Sequence, residues 1–137
     1  ELDELRKLLR VGIQWNTQVT LDACKHKVSQ VYCSALPVAY TGHSPHLWSE
    51  FAKLILEASY EATICTAILN SVRSGNKKLF LTLLGGGAFG NDTDWIIVSI
   101  QRALNLYKNA NLDISIVSYG SSNESVRQLV DQRYNDF

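Results

Sequence analysis

The sequence predicts an α/β fold with a mostly parallel central sheet flanked by helices. Strand-like and helix-like segments alternate from residue 28 onward. The short continuous apolar run LFLTLL at 79–84 is typical of a strand buried on both faces of a parallel sheet, and LDISIVSY at 112–119 predicts a second buried strand. Strands that alternate with helices of this length favour parallel pairing.

The N-terminal part predicts one helix and two strands. A short amphipathic helix is expected over 2–10, because its leucines fall on one stripe. β-branched residues favour a strand over 11–20. The segment VSQVYCSA predicts another strand over 28–35, which stops at Leu36-Pro37.

Three longer helices follow. The spacing of apolar residues predicts a helix over 45–72 that ends at the C-cap sequence Ser74-Gly75-Asn76. A second helix is expected to begin at Asn91-Asp92-Thr93-Asp94, and a third after a capping box formed by Ser121 and Glu124. The residues of the second helix that are expected to face inward are Trp95, Ile96, Ile100, Ala103, Leu104 and Tyr107. The inward stripe expected for the first of these helices consists of Leu47, Phe51, Leu54, Ile55, Ala58, Ala62, Cys65, Ile68, Leu69 and Val72.

Composition bounds the class of protein. The 137 residues are expected to form a single domain, 1–137, with 13 basic and 13 acidic side chains and no net charge. This balance disfavours nucleic acid and anionic membranes as partners, and no apolar run approaches the roughly 20 residues of a membrane span. An odd count of three cysteines favours a reduced intracellular protein, in the cytoplasm.

The most informative segment is the glycine-rich turn at 85–91, GGGAFGN. Ligands of open α/β sheets bind beyond the carboxyl ends of the strands. A strand that runs through glycines into a helix aims free backbone N–H groups at an anion, and the missing Cβ lets a phosphate approach. The turn therefore predicts a phosphate-binding loop.

Other interpretations of this turn remain open. Gly85, Gly87 and Gly90 match G-x-G-x-x-G, but the turn comes late in the chain and the next strand ends without an acidic residue. No Lys-Ser or Lys-Thr follows, so the Walker pattern fails. Asp92 and Asp94 disfavour a phosphate at the helix start. A tight connection that binds nothing is the alternative.

The segment LFLTLLGGGAFGNDTDWIIVSIQRAL, followed by LDISIVSYG, resembles the C-terminal half of a macrodomain, the ADP-ribose-recognising α/β fold. The nearest variant is the poly(ADP-ribose) glycohydrolase type. VSQVYCSALPVAY resembles the preceding strand with its exit loop, and LWSEFAKLILEASYEATICTAI the intervening helix. The resemblance covers about residues 11–120 and implies a three-layer macrodomain-like architecture.

The resemblance also implies a ligand and its contacts. The ligand is ADP-ribose, free or on an ADP-ribosylated protein, or a related nucleotide diphosphate. Phe89 would form the wall beside the distal ribose, Asn91 would close the loop, and Tyr119 would lie against the adenine. Asn123 would add a polar contact, and Ser34 to Pro37 would form the neighbouring rim. The loop around the diphosphate comprises Gly85, Gly86, Gly87, Ala88, Phe89 and Gly90.

The chain departs from the family in its N-terminal part. The adenine-reading acidic residue, the Asn-rich segment, the first glycine-rich loop and the catalytic glutamate pair are not found, and Gly12 is the sole glycine before residue 42. We therefore expect a chain that binds ligand without catalysing a reaction by itself. One alternative is a degenerate interaction or assembly subunit whose leucine-striped helix packs on a protein partner. Another is an ADP-ribosyl hydrolase completed by a missing N-terminal segment or chain, which the absence of methionine would fit.

No other residue pattern predicts chemistry. His43 and His46 lie three apart, but no acidic or cysteine partner has ligand spacing, so no metal is expected. Cys33 would need a base such as one of these histidines to act as a nucleophile, and a structural thiol is favoured. No catalytic residue and no cofactor are predicted.

Overall fold

A computed structural model describes residues 1–135, and the side chains of residues 1–133. These residues form an α/β fold. The strands are β1 (Gly12–Gln18), β2 (Lys27–Tyr32), β3 (Lys78–Thr82) and β4 (Asp113–Val117). The helices are α1 (Leu2–Arg6), α2 (Ser49–Ser74), α3 (Thr93–Leu106) and α4 (Glu124–Asn135). Two short 3-10 helices, Val38–Tyr40 and Pro45–Trp48, precede α2.

The strands form two separate pairs. β1 and β2 are antiparallel, with a bulge between Gln14 and Thr17, whereas β3 and β4 are parallel and run in register from Lys78 opposite Asp113 to Thr82 opposite Val117. The expected mostly parallel sheet therefore holds for β3 and β4 alone. The reason is the connection at 19–26, which is long enough for a hairpin but too short for the crossover that parallel pairing requires.

The parallel pair is covered on one face. Leu81 is 2% exposed, but its neighbour Phe80 is 64% exposed and Val117 is 48% exposed. The prediction that both strands are buried on two faces is therefore wrong for the described residues. Leu79, Leu81, Ile114 and Ile116 pack against the core, while the alternate side chains face outward.

The core lies between this sheet face and the helices. α2 and α3 pack against each other, and Leu129 of α4 joins the same cluster. The inward residues expected for α3 are confirmed at its centre, where Ile96, Ile100 and Ala103 are buried. In the part of the chain that the structure describes, no helix has both the length and the hydrophobicity needed to traverse a bilayer.

The core face of α2 differs from the expected stripe. Leu56, Tyr60 and Ile64 are buried at i, i+4 and i+8, whereas Phe51 and Val72 of the expected stripe are exposed. Apolar side chains occur around most of this 26-residue helix, so their spacing does not identify a single face.

The helix ends follow local capping chemistry. Gly75 takes the left-handed conformation, and its N–H donates to the Ser71 carbonyl at 2.8 Å, which confirms the predicted C-cap. Asp92 caps α3 by accepting from the Asp94 N–H at 2.8 Å, as predicted. The predicted Ser121–Glu124 capping box is wrong: α4 begins at Glu124, and Asn123 is the cap, accepting from the Ser125 N–H at 2.9 Å.

Ion pairs attach α1 to the rest of the fold. Arg6 Nε donates to Glu57 of α2 at 2.6 Å, and Arg102 of α3 bonds both Glu61 and Asp3 at 2.9 Å. The leucines of α1 are largely exposed. Charge, and not the leucine stripe, therefore holds this helix in place.

One pair of neighbouring substitutions tests the one-sided burial of β3. We expect Phe80→Thr to change the free energy of unfolding by no more than about 0.5 kcal/mol, since Phe80 faces outward. Leu81→Thr should cost at least about 2 kcal/mol, because it leaves a cavity and buries a hydroxyl. Urea denaturation measures both. Equal losses at the two positions would contradict the one-sided arrangement.

Candidate functional site

The glycine-rich loop lies at the carboxyl end of the parallel pair. β3 ends at Thr82 and α3 begins at Thr93, so residues 83–92 connect them. Because Thr82 is opposite Val117, the exit of β4 at 118–123 leaves the same edge of the sheet. This edge is where α/β folds bind their ligands.

The hydroxyl of Tyr60 hydrogen-bonds the main chain at the point where β3 ends and the loop begins. It donates to the Thr82 carbonyl at 2.8 Å and accepts from the Leu84 N–H at 2.9 Å. Tyr60 is 3% exposed, and burial raises the pKa of its hydroxyl. β3 therefore stops two residues before the expected end of the LFLTLL strand. The sequence offers one signal for this role, since a buried tyrosine requires a polar partner.

Asn91 closes the base of the loop. Its backbone N–H donates to the Gly85 carbonyl at 3.0 Å. Its side-chain Nδ2 donates to the Leu36 carbonyl at 2.8 Å and to Gly85 at 3.3 Å. The side chain is buried, which fits its predicted role in closing the loop. A contact between Asn91 and a ligand stays a prediction.

Close packing explains three of the four glycines in the loop. A Cβ on Gly85 would lie 2.4 Å from the Ala35 Cβ, and one on Gly90 would lie 2.7 Å from the Ala39 Cβ. Both residues have positive φ, at 76° and 68°. A Cβ on Gly86 would approach Ile96 to 3.1 Å.

Gly87 has no such reason to be glycine. A Cβ there would meet nothing within 4 Å, and its φ is not positive. The amides of Gly87, Ala88 and Phe89 donate no hydrogen bond to any described residue, whereas those of Gly86 and Gly90 are used within the loop. Gly87 and Ala88 are exposed. The base of the loop, Gly85, Gly86, Gly90 and Asn91, is thus locked by hydrogen bonds and close packing. The tip of the loop, Gly87 to Phe89, is free in the sense that its amides are unused.

Aromatic rings flank this tip. Phe89 and Tyr40 contact edge to face, with ring centroids 5.8 Å apart, and the Phe89 carbonyl accepts from the Ala39 N–H at 2.9 Å. Tyr40 is exposed and was not predicted, because nothing in the sequence pairs it with the loop. Ser34 and Pro37, the expected rim, are exposed on the segment that docks on the loop.

The exit loop of β4 provides the remaining predicted contacts. The ring of Tyr119 is fully exposed, so it is free to contact a ligand. Asn123 uses its side-chain oxygen to cap α4, which leaves its amide nitrogen for another partner. Both ligand contacts stay predictions.

Other candidate groups do not assemble a second centre. Among residues 1–135, no three His, Cys, Asp or Glu side chains converge in a way that could hold a metal ion. The three cysteines are free thiols, and burial raises the pKa of the Cys33 thiol, which disfavours the nucleophilic thiolate.

No family model matches this chain, and no significant similarity to a curated protein or to a solved structure was found.

Two alanine substitutions separate the base of the loop from its tip. We expect Gly85→Ala to destabilise the fold by at least about 1 kcal/mol, because it introduces a clash and a strained φ. Gly87→Ala should stay within about 0.5 kcal/mol of the wild type. Thermal and urea unfolding provide the comparison, and a large loss at Gly87 would show that the tip is packed.

Removal of one hydroxyl tests the role of Tyr60. Tyr60→Phe should cost about 1–3 kcal/mol at neutral pH, because the two hydrogen bonds that join α2 to the end of β3 are lost, while the Leu84 N–H keeps its bond to the Thr82 carbonyl at 3.0 Å. Tyr32→Phe is the matched control, since that hydroxyl bonds exposed glutamines.

The same variant has a pH signature. A raised folded-state pKa means that the stability from Tyr60 is fully present below the ordinary tyrosine pKa of about 10 and is lost as pH rises. Urea denaturation at increasingly alkaline pH should therefore show that the difference in the free energy of unfolding between the wild type and Tyr60→Phe becomes smaller. A difference in unfolding free energy that does not change with pH would contradict the raised pKa of Tyr60.

Proposed function

We propose that the loop 85–91 binds the diphosphate of ADP-ribose, or of a related nucleotide diphosphate, and that this chain alone performs no catalysis. The observation that carries the proposal is the free tip of the loop. The three consecutive amides of Gly87, Ala88 and Phe89 donate no hydrogen bond within the described residues, and Gly87 and Ala88 are exposed. Consecutive N–H groups at a strand-to-helix turn suit an anion.

The surroundings of the tip support a ligand larger than phosphate. Phe89, which is partly buried against the core, contacts the exposed ring of Tyr40, and the two rings offer an apolar surface at the tip. Tyr119, on the neighbouring strand exit, offers a ring that a base could stack on. The locked base of the loop holds the amides in place before binding, which lowers the ordering cost.

Within the loop, only main-chain N–H groups are available to recognise an anion. The loop from 83 to 94 contains no Lys or Arg, while Asp92 and Asp94 are exposed at the start of α3. Asp92 is used as a helix cap. Because the loop itself carries no cation, binding by the loop depends on the close approach that Gly87 permits, so a side chain at this position should block it.

The proposal extends to a macrodomain-like three-layer arrangement and to the intracellular environment. The outward sheet face is uncovered and carries Phe80 and Val117, on which a further layer could pack. The free thiols support a reducing environment.

Isothermal titration calorimetry with ADP-ribose tests the proposal. We expect saturable binding to the wild type and at least a tenfold weaker affinity for Gly87→Glu, which places bulk and negative charge on the tip. Asn109→Glu makes the same change of charge in the turn before β4, at the opposite edge, and should bind like the wild type. Circular dichroism checks that each variant is folded.

Two further ligands identify the part that is recognised. ADP should retain measurable binding and adenosine should lose most of it, because the free amides recognise the diphosphate. Absence of heat at millimolar ADP-ribose with the wild type, or equal affinities for Gly87→Glu and Asn109→Glu, would overturn the proposal.

A further inference from the structure

A cavity of about 320 Å³ lies between α3, α4 and the amino end of β4. The glycine-rich loop is at the carboxyl end of the same strands, so the two sites are at opposite edges of the sheet. The volume falls within the range of small-molecule pockets.

The walls of the cavity are apolar. Ile64 is contributed by α2, Leu104 by α3, Ile114 and Ile116 by β4, and Leu129 by α4. The Tyr107 hydroxyl, which also lines the cavity, already accepts a hydrogen bond from the Cys65 thiol at 3.0 Å. An apolar body therefore fits here better than a polar one, which would lose its hydrogen bonds to water.

Charged groups are confined to three positions on the lining. Lys108 and Arg133 are cationic, and Asp113 is anionic. Arg133 is held by its bonds to the Leu104 carbonyl at 2.8 Å and the Asn105 side chain at 2.7 Å. Neither Lys108 nor Asp113 forms a salt bridge with any residue from 1 to 135. The charges of the described lining residues therefore sum to +1, which matches a single carboxylate.

We propose that this cavity binds a small monocarboxylate with an apolar tail, such as a medium-chain fatty acid. The tail lies among Ile114, Ile116 and Val130, which are the accessible apolar side chains of the lining, and the carboxylate pairs with Lys108. The negative charge on Asp113 makes a dianion such as a nucleotide diphosphate less favourable here than a monoanion. The inference is independent of the nucleotide site.

Octanoate is the probe, followed by two-dimensional 1H–15N NMR. We expect saturable shifts at residues 107–116 and in α4, at the edge of the sheet far from Gly87. Octanol, which has a similar tail without the charge, should bind at least fivefold more weakly, and octylammonium should cause no shifts. These three probes separate charge recognition from nonspecific apolar binding.

Variants locate the site. Lys108→Glu should weaken octanoate at least tenfold while leaving octanol unchanged, and Lys25→Glu, on the β1–β2 connection, should match the wild type. Ala110→Phe places a ring in the cavity and should abolish octanoate shifts, with the dispersion of the spectrum reporting that the variant is folded.

Two outcomes would overturn the inference. One is the absence of shifts at millimolar octanoate, and the other is an equal response to octanoate in Lys108→Glu and Lys25→Glu. Because Gly87→Glu should leave octanoate binding intact, failure of this site is distinguishable from failure of the nucleotide site.

Discussion

The buried hydroxyl of Tyr60 fixes where the parallel strand β3 ends. Its two bonds, to the Thr82 carbonyl and from the Leu84 N–H, occupy the groups that a longer strand would pair with a neighbour. Because Tyr60 belongs to the core face of α2, the helix sets the point at which the chain turns away from the sheet. The direction in which the glycine-rich loop leaves the sheet depends on this contact of the Tyr60 hydroxyl.

Asn91 fixes the other end of the same turn. It joins the loop to Leu36, on the segment after β2, and it directly precedes the cap of α3. The two strand pairs share no ladder of hydrogen bonds within the described residues, so the bonds of Asn91 and of Phe89 to the 36–39 segment are what bring the exit of β2 to the loop. The loop therefore connects β3 and α3 to the segment after β2, and it is also the candidate binding site.

Elements whose chemistry is local were predicted well from the sequence. The left-handed Gly75, the Asp92 cap and the buried centre of α3 each follow from neighbouring residues. Elements decided by distant packing were not. The core face of α2 depends on which of its many apolar residues meets β3, and the outward position of Phe80 depends on an uncovered face that an apolar strand does not reveal. Capping of α4 by Asn123 instead of Ser121 is a choice between two suitable residues two positions apart.

The distinction between local chemistry and distant packing also decides how much of the candidate site could be predicted from the sequence. Four glycines in one turn predict unusual backbone, but they do not say whether the reason is packing or a ligand. In the structure, Gly85 and Gly90 are required by positive φ and by the side chains of Ala35 and Ala39. Gly87 alone has open space, ordinary φ and unused amides beside it. A glycine that the fold does not require is the stronger indication of a ligand, because its lack of a side chain is then useful only to something that approaches from outside. Gly87, and not the number of glycines, is therefore the feature that favours nucleotide binding as the proposed function.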